Sequence, residues 1–229
     1  MNCAIAIFVK SPELSPVKTR LWPGIGRAHA EILYRASAAA VRSVVERASA
    51  GGQVHGYWAL AESAEASARF WPGLVHVEQG EGSLGERMAA VYRHLRQHHA
   101  GVILIGADAP QLESSALLQA ADWLDAGEAR LVIGRAVDGG FWLFGGNRDI
   151  AAHAWIESRY SQPDTATEFV RAMDTFGNWL ELGNLQDIDT VADIAAVRAK
   201  LESLPDATVE QQALCELLGE FSTIAEPCP

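Results

Sequence analysis

Cysteine and lysine are scarce in this sequence, and no apolar run is long enough to cross a membrane. Its three cysteines, Cys3, Cys215 and Cys228, form an odd, scattered set with neither the density of a disulfide framework nor the spacing of a metal-ligand motif. A disulfide-stapled fold and a zinc ribbon are thereby excluded, and a reducing, cytoplasmic setting is expected. The apolar opening stops at Lys10 and carries no basic residue before it, so it predicts neither a signal segment nor a membrane span. Positive charge is also short, since 18 Lys and Arg stand against 29 Asp and Glu, a net charge of -11. That field repels polyanions, so nucleic acid and an anionic membrane surface are not expected partners. A small anionic ligand would need a local basic site.

The composition, 49% hydrophobic and 21% charged, is that of a globular chain, and 229 residues suit one α/β core better than two smaller ones. Strand-length apolar runs at residues 3–9, 54–60, 74–77, 102–107, 131–134, 141–144 and 179–182 alternate with segments of helical period. The alternation predicts a single-domain α/β fold with a mainly parallel sheet. Helical faces are read from Ile32, Ala36, Ala40 and Val44, from Leu84, Met88, Val91 and Leu95, and from Leu117, Ala121 and Leu124. Ser83 with Glu86, Thr165 with Glu168 and Thr190 with Asp193 have the spacing of capping boxes. Gly51 and Gly52 close the first helix. Residues 1–204 form the expected domain, and residues 205–229 add an acidic helix over 208–221 and a tail that packs outside the core or frays.

The loop after the first strand carries Lys10, Lys18 and Arg20 among prolines. In open α/β sheets ligands bind beyond the carboxyl ends of strands, where this loop must lie. Two of only three lysines fall here, while the other cations of the chain are almost all among its fifteen arginines. Ammonium and guanidinium groups so placed suit phosphate; the plain alternative is a solvated basic loop. Gly24 and Gly26 lack the preceding strand and third glycine of a dinucleotide fingerprint.

Asp108 follows the strand at 102–107, so it faces the same crevice and can hold Mg²⁺, or it ends the strand as a turn before Pro110. The cluster Asp187-Ile188-Asp189-Thr190 leads into a helix, where Asp189 or Thr190 has capping as its ordinary use. Asp138 precedes Gly139-Gly140, which is either a hairpin turn or a place of close ligand approach. The glycines at 80, 82 and 85 open a helix whose free N–H groups can admit an anion or a base edge. His94, His98 and His99 read as a solvated helix end, and Trp58 and Trp142 as core.

The order of these motifs resembles the DUF2064 family, whose members are provisionally assigned as glycosyltransferases and are related to phospholactate guanylyltransferases and molybdenum-cofactor nucleotidyltransferases. The motifs are Lys10-x-Pro12 with Val17-Lys18-Thr19-Arg20-Leu21, Gly82-x-x-Gly85-x-Arg87, Asp108-Ala109-Pro110, Asp138-Gly139-Gly140-Phe141 and Asp187-Ile188-Asp189-Thr190. The resemblance covers roughly residues 1–200 and implies a GT-A (nucleotide-diphospho-sugar transferase) fold with helices on both faces of the sheet. It implies a nucleotide or nucleotide-sugar at Lys10, Pro12, Lys18, Thr19, Arg20, Gly82, Gly85 and Arg87, and Mg²⁺ or Mn²⁺ at Asp108 and Asp189. Gly139, Gly140, Tyr160 and Ser161 would face a small-molecule acceptor, with Asp138 and Lys18 as catalytic candidates. Leu14-Ser15 stand where the family usually has Pro-Gly, and Tyr160-Ser161-Gln162 where it has Trp-Ser-Thr. Asp108 is one acid where many glycosyltransferases have an Asp-x-Asp pair. The implied activity is sugar transfer from a nucleotide diphosphate-sugar; the alternatives are nucleotidyl transfer from an NTP and a catalytically silent nucleotide-binding module. Oligomeric state is left open.

Overall fold

The computed structural model describes residues 2–224, and the side chains as far as Phe221. Seven strands form one sheet: β1 (Cys3–Val9), β2 (Val54–Leu60), β3 (Val75–Glu78), β4 (Gly101–Gly106), β5 (Arg130–Ala136), β6 (Phe141–Gly146) and β7 (Asn178–Leu185). The helices are α1 (Trp22–Ser49), α2 (Ala64–Ser67), α3 (Leu84–Arg96), α4 (Ser114–Leu124), α5 (Ala152–Ile156), α6 (Thr165–Met173), α7 (Val191–Glu202) and α8 (Val209–Ile224). Strand order is β3-β2-β1-β4-β6-β5-β7. The pairs β1–β2, β1–β4, β2–β3 and β5–β7 are parallel, while β6 runs antiparallel to both β4 and β5.

Both faces of the sheet are covered at its centre, which explains why β1, β4, β5 and β6 read as nearly continuous apolar runs. Along β1, Cys3, Ile5, Ile7 and Val9 pack with α1 and α4, while Ala4 and Ala6 face the opposite layer with Met88, Trp155 and Phe169. A third cluster joins Leu21, Leu33 and Ala40 to Ile194 and Val197 of α7 and to Leu214, Leu218 and Phe221 of α8. Helix α1 is therefore covered on two sides. Ala40 and Val44 are buried as expected, but Ile32 is half-exposed, because neighbouring Leu33 and Tyr34 supply the two packed faces. Helix α8 docks through a continuous apolar face rather than fraying; Cys228 and the end of the tail lie outside the described residues.

Capping boxes form at Ser83–Glu86 and Thr190–Asp193. Thr165 does not cap its helix: Asp164 holds that position. The buried Thr165 hydroxyl instead braces the preceding loop, donating toward the Gln162 and Arg159 carbonyls and accepting from the Gln162 N–H. Cys3 and Cys215 are free thiols, and burial pushes Cys3 up to about 12. Among the described residues no helix is long and apolar enough to cross a membrane.

Of the three clustered histidines, His99 is not solvated; it is buried beside β1 and β2. Asn2 donates through Nδ2 to the His98 carbonyl (3.0 Å), leaving its Oδ1 to accept from His99 Nδ1–H at 2.5 Å. His99 Nε2 then accepts from the Tyr57 hydroxyl at 2.8 Å, so the ring is held neutral. Burial, then the charges of His55, His98 and Arg96, lower its pKa. A base with a depressed folded pKa lends stability that is present above its unfolded value, 6.5, and is lost as pH falls below it, because the unfolded chain then binds more protons. Thermal unfolding from pH 7.5 to 5 should therefore fall more steeply for the wild type than for His99→Gln. Parallel curves would mean that His99 does not contribute to acid sensitivity.

Candidate active site

Six of the seven strands share one direction, so the loops after β1, β2, β3, β4, β5 and β7 all leave the same edge of the sheet. The reversed β6 begins at that edge, which brings the turn carrying Asp138, Gly139 and Gly140 to it as well. After β7 the chain returns along the edge toward β4, where the Ile188 N–H donates to the Asp108 carbonyl at 3.0 Å. This return sets Asp187 and Asp189 beside Asp108.

Lys18 joins the cluster. Its side chain is only 5% exposed, and its Nζ lies 2.8 Å from Asp108 Oδ1 and 3.2 Å from Asp189 Oδ1, while also donating to the Ile188 carbonyl. Its φ of 48° is left-handed, an unusual conformation for a lysine that turns the loop inward at this point. Burial alone would lower the ammonium pKa, but the charges of Asp108 and Asp189 outweigh it and hold it above the ordinary lysine value. Arg20 approaches Asp189 from the solvent side at 3.4 Å, with most of its guanidinium free. The Lys18 of the basic loop thus lies against carboxylates, not at the surface.

Asp187 was visible in the sequence only as one member of an acidic run. Burial, reinforced by Asp108 and Asp138 against the opposing Lys18, pushes its carboxyl up to about 7. Asp138 is exposed and its Oδ1 accepts the Gly140 N–H at 2.8 Å, so it does form the turn; its other oxygen faces no described partner within that turn. Gly139 lies at φ +92°, and a Cβ there would sit 1.9 Å from the Pro163 carbonyl oxygen. The Ala166 N–H also donates to the Gly139 carbonyl, so Gly139 and Gly140 pack against the loop of Tyr160 and Ser161.

The rest of the basic loop is fixed from behind. Tyr34 accepts the Lys10 N–H at 3.0 Å, Glu62 accepts the Ser11 N–H, and the buried Ser11 hydroxyl accepts from Trp71. Pro12 is buried, while the Lys10 side chain and Thr19 are exposed. At the start of α3, Arg87 Nε donates to the Gly82 carbonyl at 3.0 Å. The Glu86 carboxylate accepts from the Ser83 N–H and hydroxyl, which holds it below the ordinary glutamate range. Gly85 admits the Trp155 carbonyl, 2.2 Å from where a Cβ would stand, and the Tyr160 ring at 3.0 Å. Lys18, Arg20, Asp108 and Asp189 are therefore joined by ion pairs, with Asp187 within reach of their charges, while Gly85 and Gly139 serve the packing of the opposite flank.

Among the described residues no three His, Cys, Asp or Glu side chains form a ready metal cage. The donor set nonetheless fits a hard divalent cation. Asp108 and Asp189 offer oxygen only, and Asp108 Oδ1 is buried with no hydrogen bond, its one partner being the Lys18 ion pair. Mg²⁺ typically takes one or two protein carboxylates and completes its shell with water and phosphate oxygens.

The mixed sheet with its covering helices is an α/β fold that matches structures of the nucleotide-diphospho-sugar transferase kind. The chain belongs to the DUF2064 family, described as uncharacterized protein conserved in bacteria, whose model matches residues 43–162. That segment includes Asp108 and Asp138; Lys18, Arg20 and Asp189 lie outside it. A protein from Desulfovibrio desulfuricans G20, provisionally assigned as a nucleotide-diphospho-sugar transferase, is similar in structure with a TM-score of 0.82 and 24% identity over 98% of this chain and 97% of that one. A 4-diphosphocytidyl-2C-methyl-D-erythritol synthase from Anaerococcus prevotii DSM 20548 has a TM-score of 0.55 and 10% identity, over 88% and 98%. A cytidylyltransferase from Leptospira borgpetersenii serovar Hardjo-bovis strain JB197 has a TM-score of 0.52 and 15% identity, over 100% and 98%. No curated protein matches the chain.

Proposed function

We propose that the protein is a Mg²⁺- or Mn²⁺-dependent transferase that binds a nucleotide diphosphate-sugar and passes the sugar to a small hydroxyl acceptor. The observation that carries this reading is the meeting of Lys18 and Arg20 with Asp108 and Asp189 at the carboxyl edge of the sheet. Asp108 and Asp189 would hold the metal, which when bound would offset charge on the leaving diphosphate. Arg20, whose guanidinium is mostly exposed beyond its contact with Asp189, and the exposed Lys10 would bind phosphate oxygens. Gly82, Gly85 and Arg87 would shape the nucleotide side, and Gly139, Gly140, Tyr160 and Ser161 the acceptor side. In transfer the bond from the anomeric carbon to the phosphate oxygen breaks, the acceptor oxygen bonds to that carbon, and Asp138 takes the acceptor proton.

Nucleotidyl transfer is the second reading. It is favoured by one feature: the two metal-binding acids come from separate segments, after β4 and after β7, rather than from one Asp-x-Asp pair. The product separates the two, since sugar transfer releases a nucleoside diphosphate and nucleotidyl transfer releases pyrophosphate. Thermal unfolding with sugar nucleotides, nucleoside diphosphates and NTPs tests the shared part. A ligand at 100 times its Kd adds about 2.7 kcal/mol, which raises Tm by about 5–10 °C at this chain length. Asp108→Asn should lose the metal-dependent shift while its own Tm falls by no more than about 5–10 °C, because the buried Lys18 keeps Asp189 and the Ile188 carbonyl. An equal shift in the variant would remove Asp108 from the site, and no shift with any nucleotide would overturn the transferase reading.

A further inference from the structure

Every backbone carbonyl from Ala107 to Pro110, and that of Leu112, has a donor from elsewhere in the fold or from the loop itself. The Ser37 hydroxyl of α1 donates to Ala107 O at 2.5 Å, the Ile188 N–H to Asp108 O at 3.0 Å, and the Leu112 N–H to Ala109 O at 3.2 Å. The last two acceptors are met by a single side chain. Gln211 Nε2, from the first turn of α8, donates to Pro110 O at 2.8 Å and to Leu112 O at 2.9 Å. Its other amide atom is also used, because Gln211 Oε1 accepts the Thr208 N–H at 2.9 Å. Thr208 Oγ1 in turn accepts the Gln211 N–H at 3.1 Å and shares a 2.7 Å hydrogen bond with the Ser43 hydroxyl of α1. Gln211 is 2% exposed, and both of its N–H donors and its carbonyl oxygen are engaged inside the protein.

We infer that Gln211 is a positioning residue for the reaction: it fixes the loop from which Asp108 projects, so that the carboxylate meets metal and phosphate without reorganising. The inference rests on the transferase reading of the site. A carboxylate on a loop with free carbonyls would have to be ordered at each binding event, and that cost is met here in the folded protein. Helix α8 lies beyond the segment that the family model matches, and it meets the site both through these hydrogen bonds and through the apolar cluster that Leu214 and Leu218 share with Ile188.

The test compares wild type, Gln211→Met and Leu214→Ala, the last being a buried α8 residue of the third apolar cluster whose side chain has no hydrogen bond to give the loop. Mn²⁺ binding is read by electron paramagnetic resonance in the presence of a nucleoside diphosphate, and Tm is recorded for each protein. Loss of a group that orients a metal ligand typically weakens metal affinity about 10-fold or more. Gln211→Met is expected to show that loss, and Leu214→Ala to bind within about two-fold of wild type although its Tm also falls. Equal binding by Gln211→Met and wild type, or equal losses in both variants, would overturn the inference. Should Gln211→Met not fold, Gln211→Glu keeps the acceptor for Thr208 N–H, loses the two donated bonds and carries the same comparison. Failure of the wild type to bind Mn²⁺ with any nucleotide would overturn the transferase reading itself, and the positioning role with it.

Discussion

Lys18→Met is expected to lower the Tm of the metal-free protein by about 5–10 °C, and Mg²⁺ is expected to recover part of the loss. Removing one partner of a buried ion pair costs about 3–5 kcal/mol, since the partner is left charged and unpaired. Here the cost is smaller, about 2–3 kcal/mol, because the Asp108 and Asp189 side chains remain 40% and 34% exposed and water offsets part of it. What remains is a cluster of acids with no buried cation among them. A divalent ion can take that role, and at ten times its Kd it adds about 1.4 kcal/mol. Wild type should respond less to Mg²⁺, because there the ion must displace an ammonium already in place. Calorimetry with and without Mg²⁺ checks both parts. An unchanged Tm would mean that hydration alone suffices for these acids, and a lowered Tm indifferent to Mg²⁺ would remove Asp108 and Asp189 as metal ligands.

Gly139→Ala is expected to be as damaging, through sterics rather than charge. The residue is left-handed at φ +92°, and its added methyl would stand 1.9 Å from the Pro163 oxygen and 2.5 Å from the carbonyl carbon. Both are backbone atoms, so no side chain can swing away. Backbone strain plus forced movement of the 159–165 loop costs about 3–4 kcal/mol, or about 10 °C in Tm. Gly51→Ala is the control: a Cβ there meets nothing within 4 Å, and its Tm should stay within about 2 °C of wild type. Because Tyr160 and Ser161 sit on the displaced loop, any folded Gly139→Ala should also lose acceptor use before it loses nucleotide binding. A Tm near that of wild type would mean that the Pro163 turn is soft.

Strands β1, β4, β5 and β6 were legible because burial on both faces writes them as apolar runs, and the less buried β2, β3 and β7 also form where their runs lie. Their order was not. Alternation of strand and helix predicts a mainly parallel sheet, but nothing in Phe141-Trp142-Leu143-Phe144 says that β6 inserts, reversed, between β4 and β5. Phase along α1 was misread at Ile32 because a helix packed on two sides carries two apolar stripes, and a single period of four selects neither. His99 could not be read as buried, since its partners Asn2 and Tyr57 are 97 and 42 residues away. In the site, Asp108 followed from its strand end, and Lys18 and Arg20 from theirs. That Lys18 points inward depends on a left-handed backbone that no residue type signals. Asp187 was only one member of an acidic run, and Gln211 one polar residue of an acidic helix; only the return of the chain after β7 and the docking of α8 give them their neighbours.

The scarcity of lysine, combined with the burial of Lys18, has a consequence for chemical labelling. Of the three ε-amines, one is sealed among carboxylates, one lies on the outer helix α7 at Lys200, and one, Lys10, stands open at the carboxyl edge of the sheet. An aldehyde-bearing nucleotide that docks at this edge therefore meets a single reactive side-chain amine, and the imine it forms would mark the path of the phosphates by one covalent bond.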